Sequence, residues 1–457
     1  MSFVGLLVGA GFATGQEVVQ YFTAFGTWGI PGIIIAALIM TLAGTVFLQL
    51  GSYFHASEHN TVFRNVTHPI VSKLLDVAVI ITLFAIGFVM LAGAGSNMEQ
   101  QFGWKTWIGS TLMLVLVLIV GMLDVDKVSK VIGAVTPTII IAVIGVAIYT
   151  GLNMPDDIGA AMDASSQIDT PIGNWLISAL NYNGLALMLA VSMSLVIGGD
   201  NISPREAGWG GVVGGVIYSI MMGLAGFSLL MNSDKAQGSD IPMLSLVDSV
   251  NPTLGSIMAV IIYMMIFNTA IGMFYALGKR LTRNNPKRFY PVYAVCCIVG
   301  FVLSFVGFQT LVSNVYPILG YLGLLMIVVM VFNRIKNGSK LSDESDRRMR
   351  AHELVSRRLD PRKRFTKKNE RELRKLAAAS NMETTEFVTN IAEEIHEELE
   401  NDEDLDYDRE DPEPSVTYVQ HTKPEVPSSD SDLDFGKKDA AADSGKATGT
   451  AKPVSED

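Results

Sequence analysis

The first 333 residues of this 457-residue chain hold only 12 of its 34 lysines and arginines and 15 of its 45 acidic residues. Soluble domains carry charge on about a quarter of their residues, so this stretch is not one. Cysteine is almost absent too. The two present, Cys296 and Cys297, are adjacent; neighbours on one helix close no normal disulfide and make a poor metal site, so they read as small buried hydrophobes. No Gly-x-x-x-x-Gly-Lys-Ser/Thr loop, zinc-ligand spacing or nucleic-acid module occurs, so no enzyme class, cofactor or nucleic-acid partner is indicated. No basic stretch precedes the first apolar run, which argues against a secretory signal there.

Charge-poor apolar runs are present instead, each of about 20 residues, enough to cross a hydrocarbon core of roughly 30 Å. Ten are expected: residues 3–25, 29–53, 70–95, 106–123, 131–151, 174–198, 209–231, 254–278, 289–308 and 311–333. Lys and Arg are retained on the cytoplasmic side. With the N-terminus inside, Arg64, Lys73, Lys127, Lys130, Arg205, Lys279, Arg280, Arg283, Lys287 and Arg288 fall there, and only Lys105 and Lys235 fall outside. The expectation is a multi-pass protein of the cell membrane, embedded in lipid, with both termini cytoplasmic. Asp76, early in the third run, is expected in the inner vestibule or paired with Arg64 or Lys73.

Within the first run stands Gly9-Ala10-Gly11-Phe12-Ala13-Thr14-Gly15-Gln16-Glu17. Glycine weakens a helix, and an ionised carboxylate at membrane depth is costly. A broken helix lining a solute site is therefore expected. The sixth run carries Asn181-Tyr182-Asn183-Gly184, read as a matching interruption, and Pro137 and Pro317 occupy the fifth and tenth. Matching irregularities divide the ten runs into five plus five and predict an all-α inverted repeat with helices 1 and 6 broken.

These residues, followed by Tyr21, Phe22, Phe25 and Gly26-Thr27-Trp28-Gly29-Ile30-Pro31, resemble the first two spans of LeuT-type transporters, and the Gly9 to Glu17 signature is similar to that of the YkvI-like bacterial membrane proteins. The resemblance covers residues 1–333. It implies the amino acid, polyamine and organocation superfamily fold, alternating access and coupling to sodium or protons. It also implies a sodium position formed by the carbonyls of Gly11 and Thr14 with Asn268 and Thr269; the family usually has two hydroxyl residues at those last two positions. Gly11, Phe12, Ala13, Gly15, Tyr182, Asn183 and Gly184 are the candidate solute-binding residues. Glu17 is open to three readings: structural group, proton carrier or solute contact.

Residues 334–375 hold 16 basic against 7 acidic residues, a juxtamembrane segment suited to anionic lipid. Phe387, Ile391 and Ile395 recur every four positions, so 334–400 is expected to contain helix. Acidic, proline-containing 401–457 reads as disordered. An ion-coupled secondary transporter of a small organic solute is the function these features predict. The rival is a membrane scaffold or sensor acting on a cytoplasmic protein partner through its tail.

Overall fold

The computed structural model describes residues 2–122, 136–402, 404, 405 and 407, in two compact units, Met1–Gly338 and Ser339–Asp457. The first unit opens with three short helices, α1 (Ser2–Leu7), α2 (Ala10–Thr14) and α3 (Gln16–Tyr21), and a 3-10 turn over Thr23–Trp28. It continues through α4 (Gly29–Tyr53), α5 (His59–Val66), α6 (Pro69–Phe102) and α7 (Thr106–Val120). Then come α8 (Thr136–Leu152), α9 (Ile158–Ser165), α10 (Trp175–Gly199), α11 (Pro204–Met231), α12 (Ser233–Ala236) and α13 (Pro242–Val250). The unit ends with α14 (Pro252–Leu281), α15 (Phe289–Ser304) and α16 (Phe308–Lys336).

Seven helices of the described residues are long and apolar enough to cross a membrane, and α7 and α8 are shorter apolar helices. Their starts are capped as sequence chemistry dictates. Asn174 accepts from the amides of Leu176 and Ile177, and Asn251 accepts from those of Thr253 and Leu254 with Pro252 at the first helical position. On α4, Ile30, Ile34, Leu38 and Leu42 form an exposed stripe, a face fit for lipid. The opposite face of α4 packs on α10 and α11, α10 on α16, and α6 on α14. The part of the fifth run at 131–135, and Lys127 and Lys130, lie outside the described residues.

The expected interruption of the sixth run is not there. α10 passes unbroken through Asn181 to Gly184, because Gly184 serves packing rather than bending. A Cβ at Gly184 would overlap the Gly320 carbonyl, and one at Gly323 would overlap the Gly184 carbonyl, so α10 and α16 cross with their backbones in contact, as small residues permit between membrane helices. Pro317 likewise lies inside a continuous α16, and Pro137 stands at the start of α8, where the missing amide proton costs nothing.

Helix is expected within 334–400, and the described part of the second unit is helical there. It contains α17 (Gly338–Leu359), α18 (Lys367–Ala379) and α19 (Thr384–Glu400). Leu354, Leu373, Phe387, Ile391 and Ile395 are all buried. So are Arg348 and Glu344, one helical turn apart. The Arg348 guanidinium donates to Glu344 at 2.9 Å and to Asn381 at 2.9 Å, and the Ser380 hydroxyl donates to the same Glu344 oxygen at 2.5 Å. The described part of the expected disordered segment is only its first few residues, and the rest lies outside the described residues.

Two outcomes follow. Gly184→Ala and Gly323→Ala should each destabilise the detergent-solubilised protein by about 1–3 kcal/mol, as for overpacking in a close-packed interior, read as a lowered thermal midpoint; a raised midpoint would instead mean that alanine relieves a weak helix. Arg348→Met should leave buried Glu344 with only the partly exposed Arg347 as its cation, at a cost of up to about 3–5 kcal/mol. Hydrogen exchange should then show α18 and α19 losing protection, and Glu344→Leu added to Arg348→Met should recover it.

Candidate functional site

The first apolar segment is broken twice, on either side of α2. Gly9 is extended (φ −93°, ψ −177°), and Gly15 takes a left-handed conformation (φ 79°) that favours glycine. The breaks therefore flank the helical residues Gly11 to Thr14, and both lie within the Gly9 to Glu17 stretch. Backbone groups freed in a membrane interior need partners. The Ala10 amide donates to Thr269 Oγ1 at 3.2 Å, the Gly15 amide to the Phe12 carbonyl at 3.0 Å, and the Gln16 amide to Thr14 Oγ1 at 3.4 Å.

Gly15 turns the chain so that Glu17, in the first turn of α3, folds back over α2. A Cβ on Gly11 would overlap the Glu17 carboxyl group, so Gly11 is the seat of this side chain. Glu17 is buried, at 7% exposure, and no ion pair reaches it among the described residues. In the same unit, no lysine or arginine of the described residues is as deeply buried.

Around it stands a joined set of rings. Phe12 lies 5.6 Å from Tyr218, Tyr182 lies 5.5 Å from Tyr21 and 5.0 Å from Phe22, and the Tyr182 and Tyr218 hydroxyls are hydrogen-bonded to each other. Asn181 ties three helices together: it accepts from the Tyr21 hydroxyl at 3.1 Å and donates to the Pro317 carbonyl at 2.9 Å. Phe12 and Tyr182 meet through Tyr218, and Ala13 and Asn183 are buried as well, whereas Gly184 belongs to the helix crossing. Sequence reasoning missed Tyr218, Gln16 and Gln20. Tyr218 lies in an otherwise unremarked apolar helix with no signal, while Gln16 and Gln20 carried one, an amide within an apolar run.

Several buried amide oxygens in this unit lack a donor: Gln16 Oε1, Gln20 Oε1, Asn97 Oδ1 and Asn183 Oδ1. Gln20, Asn97 and Asn183 spend their amide groups on Ser313 Oγ, the Ala259 carbonyl and the Ala179 carbonyl, at 2.8, 2.8 and 2.9 Å. The residues of the expected sodium position fall into separate pairings. Thr269 serves the Ala10 amide, while the Thr14 hydroxyl donates to the Gly11 carbonyl at 2.8 Å. Among the described residues, no side-chain hydrogen bond joins Thr14 to Thr269 or involves the Asn268 side chain.

A broken first segment inside a bundle of long apolar helices is the architecture of the LeuT-type fold. Among solved structures, MhsT in complex with L-phenylalanine aligns with a TM-score of 0.54 at 10% identity, over 86% of this chain and 94% of its own. Among curated proteins, the chain is similar to the uncharacterized membrane protein YkvI of Bacillus subtilis strain 168, 28% identical over 327 residues that cover 71% of this chain and 92% of YkvI. It is also similar to the uncharacterized protein YyaD of the same strain, 21% identical over 328 residues, 72% of this chain and 94% of YyaD. No protein-family model matches. The YkvI-like, LeuT-type resemblance of the Gly9 to Glu17 signature is borne out, and the chain is a multi-pass membrane protein.

A second cluster lies where α5 meets the bundle. Asp76 of α6 pairs with Arg280 near the end of α14, and not with Arg64 or Lys73, because the packing of α6 on α14 brings the distant cation nearer than the local ones. Arg280 also donates to His59 Nε2, and Ser192 Oγ lies 2.9 Å from His59 Nδ1. A guanidinium can only donate, so Nε2 is bare and Nδ1 donates to Ser192. Burial, with Arg280 and Arg283 adding to it, lowers the imidazole from its usual 6.5 to about 3. A base with a lowered folded pKa contributes stability that is present above the unfolded value and lost as pH falls. Thermal midpoints should therefore drop between pH 7.5 and pH 5, and the drop should shrink in His59→Gln; an equal drop in both would assign the acid sensitivity elsewhere.

Proposed function

We propose that this chain is an ion-coupled secondary transporter of a small organic solute, working by alternating access, with Glu17 carrying the coupling proton. The observation that carries the reading is a buried carboxylate with no cationic partner, seated at a break in the first membrane segment of a LeuT-type fold. A lone ionised carboxylate at membrane depth is costly, so the group is neutral or paired whenever the site is closed, and its charge changes with occupancy. Sodium is kept as the alternative coupling ion, with the Gly11 and Thr14 carbonyls, Asn268 and Thr269 as its candidate ligands.

The packing supports ten spans in five plus five. Counting the broken segment as span 1, α4 on α11 is span 2 on span 7, and α6 on α14 is span 3 on span 8; pairing of equivalents is what a pseudo-twofold produces. With span 6 unbroken, the moving element is the first segment alone. The cation distribution supports a topology with both termini in the cytoplasm, where the basic 334–375 segment would be available to anionic lipid. One observation favours the rival scaffold or sensor reading: the second unit is a folded helical body with a buried ion pair, a surface able to take a cytoplasmic protein partner.

The solute can be found by comparing metabolites of a deletion strain and its parent, then supplied to proteoliposomes. Wild type should accumulate it under an imposed pH gradient, and Glu17→Gln should lose that accumulation while eluting as a normally folded protein. Accumulation that follows a sodium gradient and ignores pH, or a Glu17→Gln variant that concentrates solute normally, would remove the proton assignment.

A further inference from the structure

The second unit brings three metal-ligating side chains from two helices together. Glu394 and Glu398 stand one turn apart on α19, and His352 of α17 meets them. One donor atom from each lies within 4.8 Å of both others, and no other trio of His, Cys, Asp or Glu among the described residues converges in this way. The spacing suits coordination better than direct pairing. His352 Nε2 lies 3.6 Å from Glu398 Oε1, beyond the roughly 2.7–3.2 Å of an N–H···O hydrogen bond. Two ligands each roughly 2.0–2.2 Å from one tetrahedral ion stand about 3.4 Å apart, so this pair already sits near the edge length of a metal site.

Charge points the same way. α19 carries Glu386, Glu393, Glu394, Glu397, Glu398 and Glu400 and no lysine or arginine. Carboxylates one turn apart on a helix repel each other, and a cation shared by Glu394 and Glu398 turns that contact attractive. The donors choose the cation. Calcium and magnesium take oxygen ligands, whereas one imidazole with two carboxylates and no thiolate suits a divalent first-row transition ion such as zinc. Three protein ligands leave a fourth position for water. Glu398 is exposed, and His352 borders an open cleft of about 560 Å³, so an ion can enter from solvent. We propose that His352, Glu394 and Glu398 form a zinc-type metal site that clips α17 to α19. Ligands on separate helices meet only when those helices are packed, so binding stabilises the packed form of the second unit.

The test is calorimetric titration of the untagged full chain in lipid nanodiscs, stripped with a chelator, using zinc, manganese, calcium and magnesium chlorides as probes. One zinc ion per chain should bind at least about a hundredfold tighter than calcium or magnesium, with manganese between them. His352→Ala, and Glu398→Gln with its near-unchanged size at an exposed position, should each weaken zinc at least about tenfold. Glu397→Gln removes the same charge from the same helix outside the trio and should change zinc affinity by less than about twofold. Hydrogen exchange in α17 and α19 should slow when zinc is added to the wild type and should not respond to zinc in His352→Ala. If His352→Ala loses its helix content, the contrast between Glu398→Gln and Glu397→Gln decides alone. No tight zinc ion, or zinc affinity unmoved in a folded His352→Ala, would overturn the site. Calcium binding as tightly as zinc, or equal weakening by Glu397→Gln and Glu398→Gln, would also overturn it and leave an acidic surface only.

Discussion

In lipid, a backbone amide or carbonyl that leaves its helix must find another partner, since no water is there to take it. The first segment is broken at Gly9 and at Gly15, and the rest of the site depends on how those breaks are satisfied. Thr269 reaches across from α14 to take the Ala10 amide, which fixes α2 against that helix. Phe12 and Thr14 take the amides after the second break from within α2 itself, so the turn at Gly15 is self-contained. That turn precedes the residue whose carboxyl group lies over Gly11.

What the sequence made legible was the part governed by local rules. The second apolar run was read as 29–53, and α4 spans Gly29–Tyr53, because hydrophobic length and a polar flank decide a span with little help from its neighbours. Glu17 stood out for the same reason, a charge in an apolar run. Gly184 was misread because glycine in a membrane helix has two uses, weakening the helix and admitting a close neighbour, and only the partner tells them apart. That partner, Gly320 and Gly323, lies more than a hundred residues away. Tyr218 and the pairing of Asp76 with Arg280 were hidden by the same distance. In the second unit, Phe387, Ile391 and Ile395 announced their helix by spacing, whereas nothing in the one-turn spacing of Glu344 and Arg348 signals the burial that makes them structural.

The same hydrogen bonds leave Glu17 as the group the segment does not balance for itself. The Thr14 hydroxyl closes on the Gly11 carbonyl and the Thr269 hydroxyl takes the Ala10 amide, so both polar side chains beside the break hold the backbone in place. The Glu17 carboxyl group, seated on Gly11 and buried, has no ion pair among the described residues, and at membrane depth a carboxylate in that position is the costly member of the segment.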